Sequence, residues 1–311
     1  MIPNSMIPDP MIPDPMIPDP MIPDPMIPDP MIPDPMPIPS SQIPEDRSPP
    51  SSPLHISSGT REVWISSRDQ QVVEDCGFVT GAATLHPVSH RTGRDQHPVY
   101  LGSDGSLLLW KRCLRGGWFG TLVHDRHWSC QRFLREMEMT TRARSLGIPT
   151  SDVIAVAATP AGIGHRVEML VRLESDVETL LDTLADETRS DLNRRQVIRA
   201  VAETIRTFHE AGFLHGDLNL MNILVQQVPE TPPRAILVDL DPGGLGPAAD
   251  RLGNLKRLVR SYRKSIRGQI PPLRHGEGIR FLHQVTGADQ ALLRRVVRAS
   301  QDLLPQSEWR R

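Results

Sequence analysis

The chain begins MIPNS, continues with six copies of MIPDP and closes the repeat with a degenerate MPIPS. Proline at two of every five positions removes backbone donors and steers each preceding residue away from the helical region. Neither a helix nor a central strand can persist there. The segment is expected to be an extended, polyproline-like or disordered tail, up to about 110 Å long at ~3.1 Å per residue. A linker of the same character, PSSQIPEDRSPPSSP, carries it to about Pro53. Any core must therefore come from the remainder. This divides the chain into a tail and linker, 1–53, and a folded body, 54–311.

The charge divides in the same way. Residues 1–50 hold 18 of the 31 prolines, eight acids and one base, Arg47, a net of −7. The remaining 34 basic and 29 acidic residues leave the body at +5. A mildly basic body favours an anionic substrate or surface. Cys76, Cys113 and Cys130 are odd in number and lack metal-like spacing, which points to core or surface thiols in a reducing compartment. The start has no basic segment followed by an apolar one, and no window approaches the 18 apolar residues of a membrane span, so a cytoplasmic protein is expected.

Within the body, TLHPV, HPVYLG and SLLLWKR, separated by the polar SHRTGRDQ and the tight Ser103-Asp104-Gly105 turn, read as a three-stranded meander. Cys130 to Leu146 favours a helix stopped by Gly147 and Pro149. VIAVAA and HRVEMLV read as two further strands. This makes a small lobe of sheet and one helix, about 54–173. Beyond it the chain is mostly helical, about 174–311. Val197, Ala200, Val201, Ile205 and Phe208 recur at helical spacing until Gly212. Then come GFLHGDLNLMNILV, the loop QQVPETPPR and a buried-looking strand, AILVDLD.

Asp217 and Asn222 stand five residues apart, and Asp239 follows on the next strand. An Asp that takes a hydroxyl proton, an Asn that holds a metal ion and a second Asp on the same metal form the phosphoryl-transfer constellation of kinases. Hard oxygen ligands of this kind suit Mg²⁺, which keeps several waters and bridges nucleotide phosphates. A turn stabilised by an Asx hydrogen bond explains one such polar residue, not three in order.

LHGDLNLMNILV with ILVDLD resembles the lipopolysaccharide kinase (Kdo/WaaP) family, and among its members the 3-deoxy-D-manno-octulosonic acid (Kdo) kinases. LLLWKRCLRGGWFG is similar to that family's basic strand and Arg-Gly-Gly turn, and FLREMEMTTRARSLGIP to its next helix. The likeness covers most of residues 80–270. It implies an α+β, reduced protein-kinase-like bilobal fold, with ATP and Mg²⁺ as cofactors. The implied reaction is phosphate transfer to a sugar hydroxyl, O-4 of Kdo, on the lipid A precursor at the cytoplasmic face of the inner membrane. Neither a nucleic acid nor an obligate protein partner is implied.

Carried over residue by residue, Asp217 is the catalytic base, and Asn222 and Asp239 are the metal ligands. Lys111 holds the nucleotide phosphates, and Glu136 orients it through an ion pair. The resemblance allows arginine at the Lys111 position, and a solvated strand end is the plain alternative. Gly93, in SHRTGRD, is the candidate phosphate-covering loop, although no full GxGxxG is present. His215 braces the catalytic loop. Asn219 stands where protein kinases often carry lysine, which argues against an ordinary protein substrate. Asp241 either reaches the metal or caps a turn. No Ala-Pro-Glu segment follows. Instead, residues 251–267 carry seven bases around an apolar stripe, either a solvated helix face or a surface for anionic lipid headgroups. A heptose kinase of the same family, an aminoglycoside-like small-molecule kinase and a small atypical protein kinase remain open. A non-catalytic binding protein would be expected to lose Asp217 or Asp239.

A chain starting at Ser51 is expected to melt at the same temperature as the full chain, because the repeat cannot contribute to a core. Differential scanning calorimetry of the two reads this directly. A clear fall in Tm on truncation would give the repeat a structural role.

Overall fold

The computed structural model describes residues 52–92, 96–114, 126–242, 245–246 and 249–303. The repeat, Gly93 and the Arg115-Gly116-Gly117 turn lie outside the described residues. The elements run β1 (Leu54–Ser58), β2 (Arg61–Ile65), α1 (Gln70–Asp75), β3 (Ser89–Thr92), β4 (Gln96–Leu101), β5 (Leu107–Arg112), α2 (Gln131–Ser145), β6 (Asp152–Pro160) and β7 (His165–Arg172). They continue as β8 (Val177–Thr179), α3 (Leu180–Ala185), α4 (Asp191–Glu210), β9 (Ile223–Gln226), β10 (Arg234–Leu237), α5 (Arg251–Ser265), α6 (His275–Thr286) and α7 (Gln290–Leu303).

The first lobe is a seven-stranded antiparallel sheet in the order β1-β2-β6-β7-β5-β4-β3. The meander is there, but its first strand is not Thr84–Val88. Pro87 has no N–H to give a ladder, and pairing starts only where Val88 N donates to Val99 O at 2.8 Å. The strand is instead Ser89–Thr92, in the stretch read as a polar loop. It lies at the sheet edge, where polar residues are tolerated. β6 is buried along its first seven residues, which explains its unbroken apolar run. Ile154 and Ala157 join one cluster with Phe78 and Trp110, while Val153 and Val156 join another with Phe133 and Met137 of α2. Cys76 and Cys113 are buried thiols and Cys130 is half-buried.

The second lobe is built around α4, whose Val197, Val201, Ile205 and Phe208 are 2% exposed or less. Ser190 caps its start by accepting from Asn193 N at 3.2 Å, and Gly212, at φ 84°, ends it. The three-stranded sheet β10-β9-β8 and helices α5, α6 and α7 enclose the same core. Two backbone bonds tie the lobes at the end of α2: Ser151 N to Leu237 O at 2.9 Å and Leu237 N to Pro149 O at 3.0 Å. They hold the connection between α2 and β6 against the strand that leads to Asp239. The architecture is the reduced, two-lobed protein-kinase-like one, a β-rich lobe over a mostly helical one. Among the described residues no helix is long and apolar enough to cross a membrane.

α5 fixes the loop that carries Asp217. Its Asn254, 2% exposed, accepts from His215 N at 2.8 Å and donates to His215 O at 2.9 Å. The same amide oxygen meets His209 Nε2 at 3.2 Å. Burial pushes His209 down to about 4, so it is neutral at pH 7 and donates. Asn254→Ala therefore strands both backbone groups of a fully buried residue, at about 1–3 kcal/mol for each unsatisfied group. A loss of roughly 3 kcal/mol is expected in urea unfolding. A loss below about 1 kcal/mol would mean that the amide does not hold the loop.

Candidate active site

Phe213, His215, Leu218, Leu220 and Ile223 are buried anchors of the loop, while Asp217, Asn219 and Asn222 between them remain accessible. The apolar residues thus nail down the backbone from which the polar ones project. His215 bridges two segments: its Nε2 meets Val238 O at 3.0 Å, and its Nδ1 accepts from Asp217 N at 3.1 Å. Burial lowers its pKa, which favours this neutral form with Nε2 as donor. Gly216 N donates to Leu240 O at 2.7 Å, and a Cβ at this position would fall 1.7 Å from Asp241 O. Only glycine allows that approach.

Asn219 caps the turn Leu220–Asn222, its side-chain oxygen accepting from Met221 N at 2.8 Å and Asn222 N at 3.1 Å. Its Nδ2 donates to Asp217 Oδ2 at 3.1 Å, so it also orients the carboxylate. Asn222 donates through Nδ2 to Asp217 O at 2.9 Å, which leaves its amide oxygen as the group available to a cation. Asp239 and Asp241 sit at φ 53° and 43°, in the left-handed region that Asp tolerates better than most residues. Strained backbone of this sort is concentrated at functional sites.

Lys111, on β5, reaches down to Asp239, Nζ to Oδ1 at 2.5 Å. The ion pair expected between Lys111 and Glu136 is not formed; among the described residues Glu136 lies near Lys111 without a bond to it. Burial pushes Glu136 up to about 7, and the charges of Asp239 and Asp241 add to that, against the pull of Lys111. Asp239 is the stronger anion. Burial alone would raise its carboxyl, but Lys111 outweighs burial and holds it below the usual range. The lysine is raised in turn by the same partner, against the effect of its own burial.

Asp241 faces Arg132 of α2, with Oδ1 2.8 Å from Nε. Its partner is thus a helix of the other lobe, joining α2 to the segment that carries Asp239. The sequence reading missed Arg132. It stands one turn before Glu136, at i and i+4, so both residues share the cleft face of α2.

Lys111, Arg132, Glu136, Asp217, Asn222, Asp239 and Asp241 line one cleft of about 1910 Å³. Its apolar part, Leu109, Val153, Met169, Val171, Leu173 and Leu224, suits a flat heteroaromatic ring. Lys111 and Asp239, paired at one point of this cleft, are a cation and an anion of the kind that could meet phosphates and a divalent ion. Among the described residues no three His, Cys, Asp or Glu side chains form an all-protein metal cage. A Mg²⁺ ion held by one carboxylate, one amide oxygen and nucleotide phosphates does not need one.

Arg257, Arg260 and Lys264 of α5 line this cleft as well. Arg257 Nη1 donates to Gly216 O, and Ser261 Oγ accepts from Leu220 N at 3.2 Å. Three of the seven bases read as a surface patch therefore line the same cleft as the candidate catalytic loop.

The residue pattern of the lipopolysaccharide kinase (Kdo/WaaP) family matches residues 103–294. The 3-deoxy-D-manno-octulosonic acid kinase of Vibrio cholerae is 28% identical over 157 residues, 49% of this chain and 63% of that protein. The enzyme of the same name from Xylella fastidiosa strain M23 is 30% identical over 190 residues, 59% of this chain and 72% of that protein. The chain thus spans somewhat under to somewhat over two thirds of these relatives. The solved structure of WaaP in complex with acyl carrier protein aligns with 71% of this chain and 90% of its own, at a TM-score of 0.48 and 16% identity. The matched stretch contains Lys111, Glu136, Asp217, Asn222 and Asp239, and the chain belongs to the lipopolysaccharide kinase (Kdo/WaaP) family.

Proposed function

We propose that the protein transfers the γ-phosphate of ATP, with Mg²⁺, to a hydroxyl of a 3-deoxy-D-manno-octulosonic acid residue on a lipid A precursor. The observation that carries this reading is the convergence of Asp217, Asn222, Asp239 and Lys111 on one cleft. The relatives named for this sugar acid supply the acceptor class, and the family resemblance makes O-4 the hydroxyl to test first.

In this mechanism the accessible Asp217 carboxylate takes the proton of the acceptor hydroxyl as it attacks the γ-phosphorus. Asn219 holds Oδ2 of that carboxylate in place. Asn222 and Asp239 would hold the Mg²⁺, which would supply charge neutralisation to the nucleotide phosphates. Lys111, already beside Asp239, contacts the phosphates, and the apolar slot takes the adenine. Positioning and charge stabilisation supply most of the rate.

Asp217→Asn and Asp239→Asn should each lower kcat by roughly 10²-fold or more while leaving the melting temperature close to that of wild type. The assay is mass spectrometry of the acceptor after incubation with ATP and Mg²⁺. One added phosphate, assigned to its oxygen by NMR, is expected with wild type. Wild-type turnover in either variant would remove that residue from its role, and no transfer to this acceptor would overturn the substrate.

The acceptor's lipid anchor implies peripheral contact with the cytoplasmic face of the inner membrane, helped by the +5 charge of residues 51–311. Binding to anionic liposomes is expected to weaken as salt rises, since the Debye length falls from about 10 Å at 0.1 M to about 3 Å at 1 M. Co-sedimentation across that range checks it, and salt-independent binding would rule out an electrostatic contact.

A further inference from the structure

The cleft is larger than one nucleotide needs, since single-ligand pockets run to about 1,000 Å³. Its charges are also unequal. Four acids line it, Glu136, Asp217, Asp239 and Asp241, and two of them have partners in Lys111 and Arg132. Arg260 and Lys264, from the lobe below, have no carboxylate partner among the described residues.

These two residues are fixed relative to the reaction centre. They stand one turn apart on the exposed face of α5, whose opposite face buries Leu255, Leu258, Val259 and Tyr262 in the core. Asn254 grips His215, Arg257 donates to Gly216 O and Ser261 takes Leu220 N, so the helix is bonded to the loop on both sides of Asp217. A group held by Arg260 and Lys264 therefore lies at a set distance from the base. On the same helix Arg257 bonds to Gly216 O, next to Asp217, and Ser261 to Leu220 N, so the α5 face enters the cleft from the side of that loop, whereas Lys111 enters it from β5 of the other lobe.

We propose that Arg260 and Lys264 form the acceptor subsite and bind the carboxylate of the sugar acid, with Arg257 as its structural support. This rests on the substrate reading above. A carboxylate between a guanidinium and an ammonium one helical turn apart makes charge-assisted hydrogen bonds to both. A site built around such a group rejects the analogue that lacks it. Discrimination between the acid and its neutral ester is therefore the property these two side chains confer.

The test compares the methyl glycoside of 3-deoxy-D-manno-octulosonic acid, as the free acid and as its methyl ester, with wild type and with the Arg260→Gln/Lys264→Gln double variant. Wild type should show a KM for the acid about tenfold below that for the ester. The double variant should raise the acid KM about tenfold and the ester KM by less than twofold, with the KM for ATP moved by less than twofold. Equal losses on acid and ester would overturn the subsite. So would a matching rise in the KM for ATP, which would assign the two bases to the nucleotide. Calorimetric binding of acid and ester without ATP separates this inference from the reaction it rests on. Acid-selective binding that the double variant abolishes, without phosphate transfer, keeps the subsite and overturns the substrate reading. Phosphate transfer with no preference for acid over ester does the reverse.

Discussion

The carbonyl oxygen of Asp241 occupies the space that a side chain on residue 216 would need, and Gly216 N closes the gap with a 2.7 Å bond to Leu240 O. Two chain segments, one carrying Asp217 and the other Asp239, are thereby pressed together backbone to backbone. His215 repeats the tie through Val238 O, and Val238 N returns it to Asn222 O at 3.0 Å. The three candidate side chains, Asp217, Asn222 and Asp239, owe their mutual placement to these main-chain contacts rather than to one another. Asn254 then joins the pair of segments to α5. A glycine, a neutral histidine and a buried amide thus do the positioning, and none of them needs to touch a substrate.

The electrostatics follow from that frame. Pressing Asp239 and Asp241 into the seam brings carboxylates near Glu136, and burial together with their charges pushes Glu136 up to about 7. Two cations from the other lobe offset this: Lys111 on Asp239 and Arg132 on Asp241. Both pairs cross between the lobes, so they hold the β-rich lobe against the helical one at the mouth of the cleft. Partly exposed pairs of this kind add little stability, about 0–1 kcal/mol each, and their larger effect here is on orientation.

Much of this was legible in the sequence because the signals were local. Asp217, Asn222 and Asp239 stood out by their spacing, and the fold brings all three to one cleft; α2 and α4 were marked by their stop residues and α5 by its apolar periodicity. The first strand of the meander was misplaced since an edge strand such as Ser89–Thr92 needs no apolar face. β1, β2 and α1 were not read at all, although Arg61–Ile65 does alternate buried and half-buried residues. Five residues are too few for alternation to stand out against chance. Arg132 and Asn254 were missed for a different reason. Each acts on a partner far along the chain, Asp241 and His215, and long-range pairing leaves no trace in local spacing. Asn254 did carry one clue, a polar residue on the apolar side of an amphipathic helix, between Leu252 and Leu255.

α5 shows how a correct secondary-structure reading can still leave the direction of a face undecided. Its apolar stripe and its bases were both plain in the sequence, and periodicity separated them onto opposite sides. What periodicity cannot give is what lies opposite the basic side. The sequence offered solvent or a membrane, while the fold puts Arg257, Arg260 and Lys264 along the cleft because Asn254 and Ser261 lock the helix against the loop at residues 215–220. Rotation of α5 is set by these polar bonds as much as by its core contacts. A helix that the sequence marks only as amphipathic thus becomes a wall of the cleft through two side chains, one buried and one half-buried, that carry no charge.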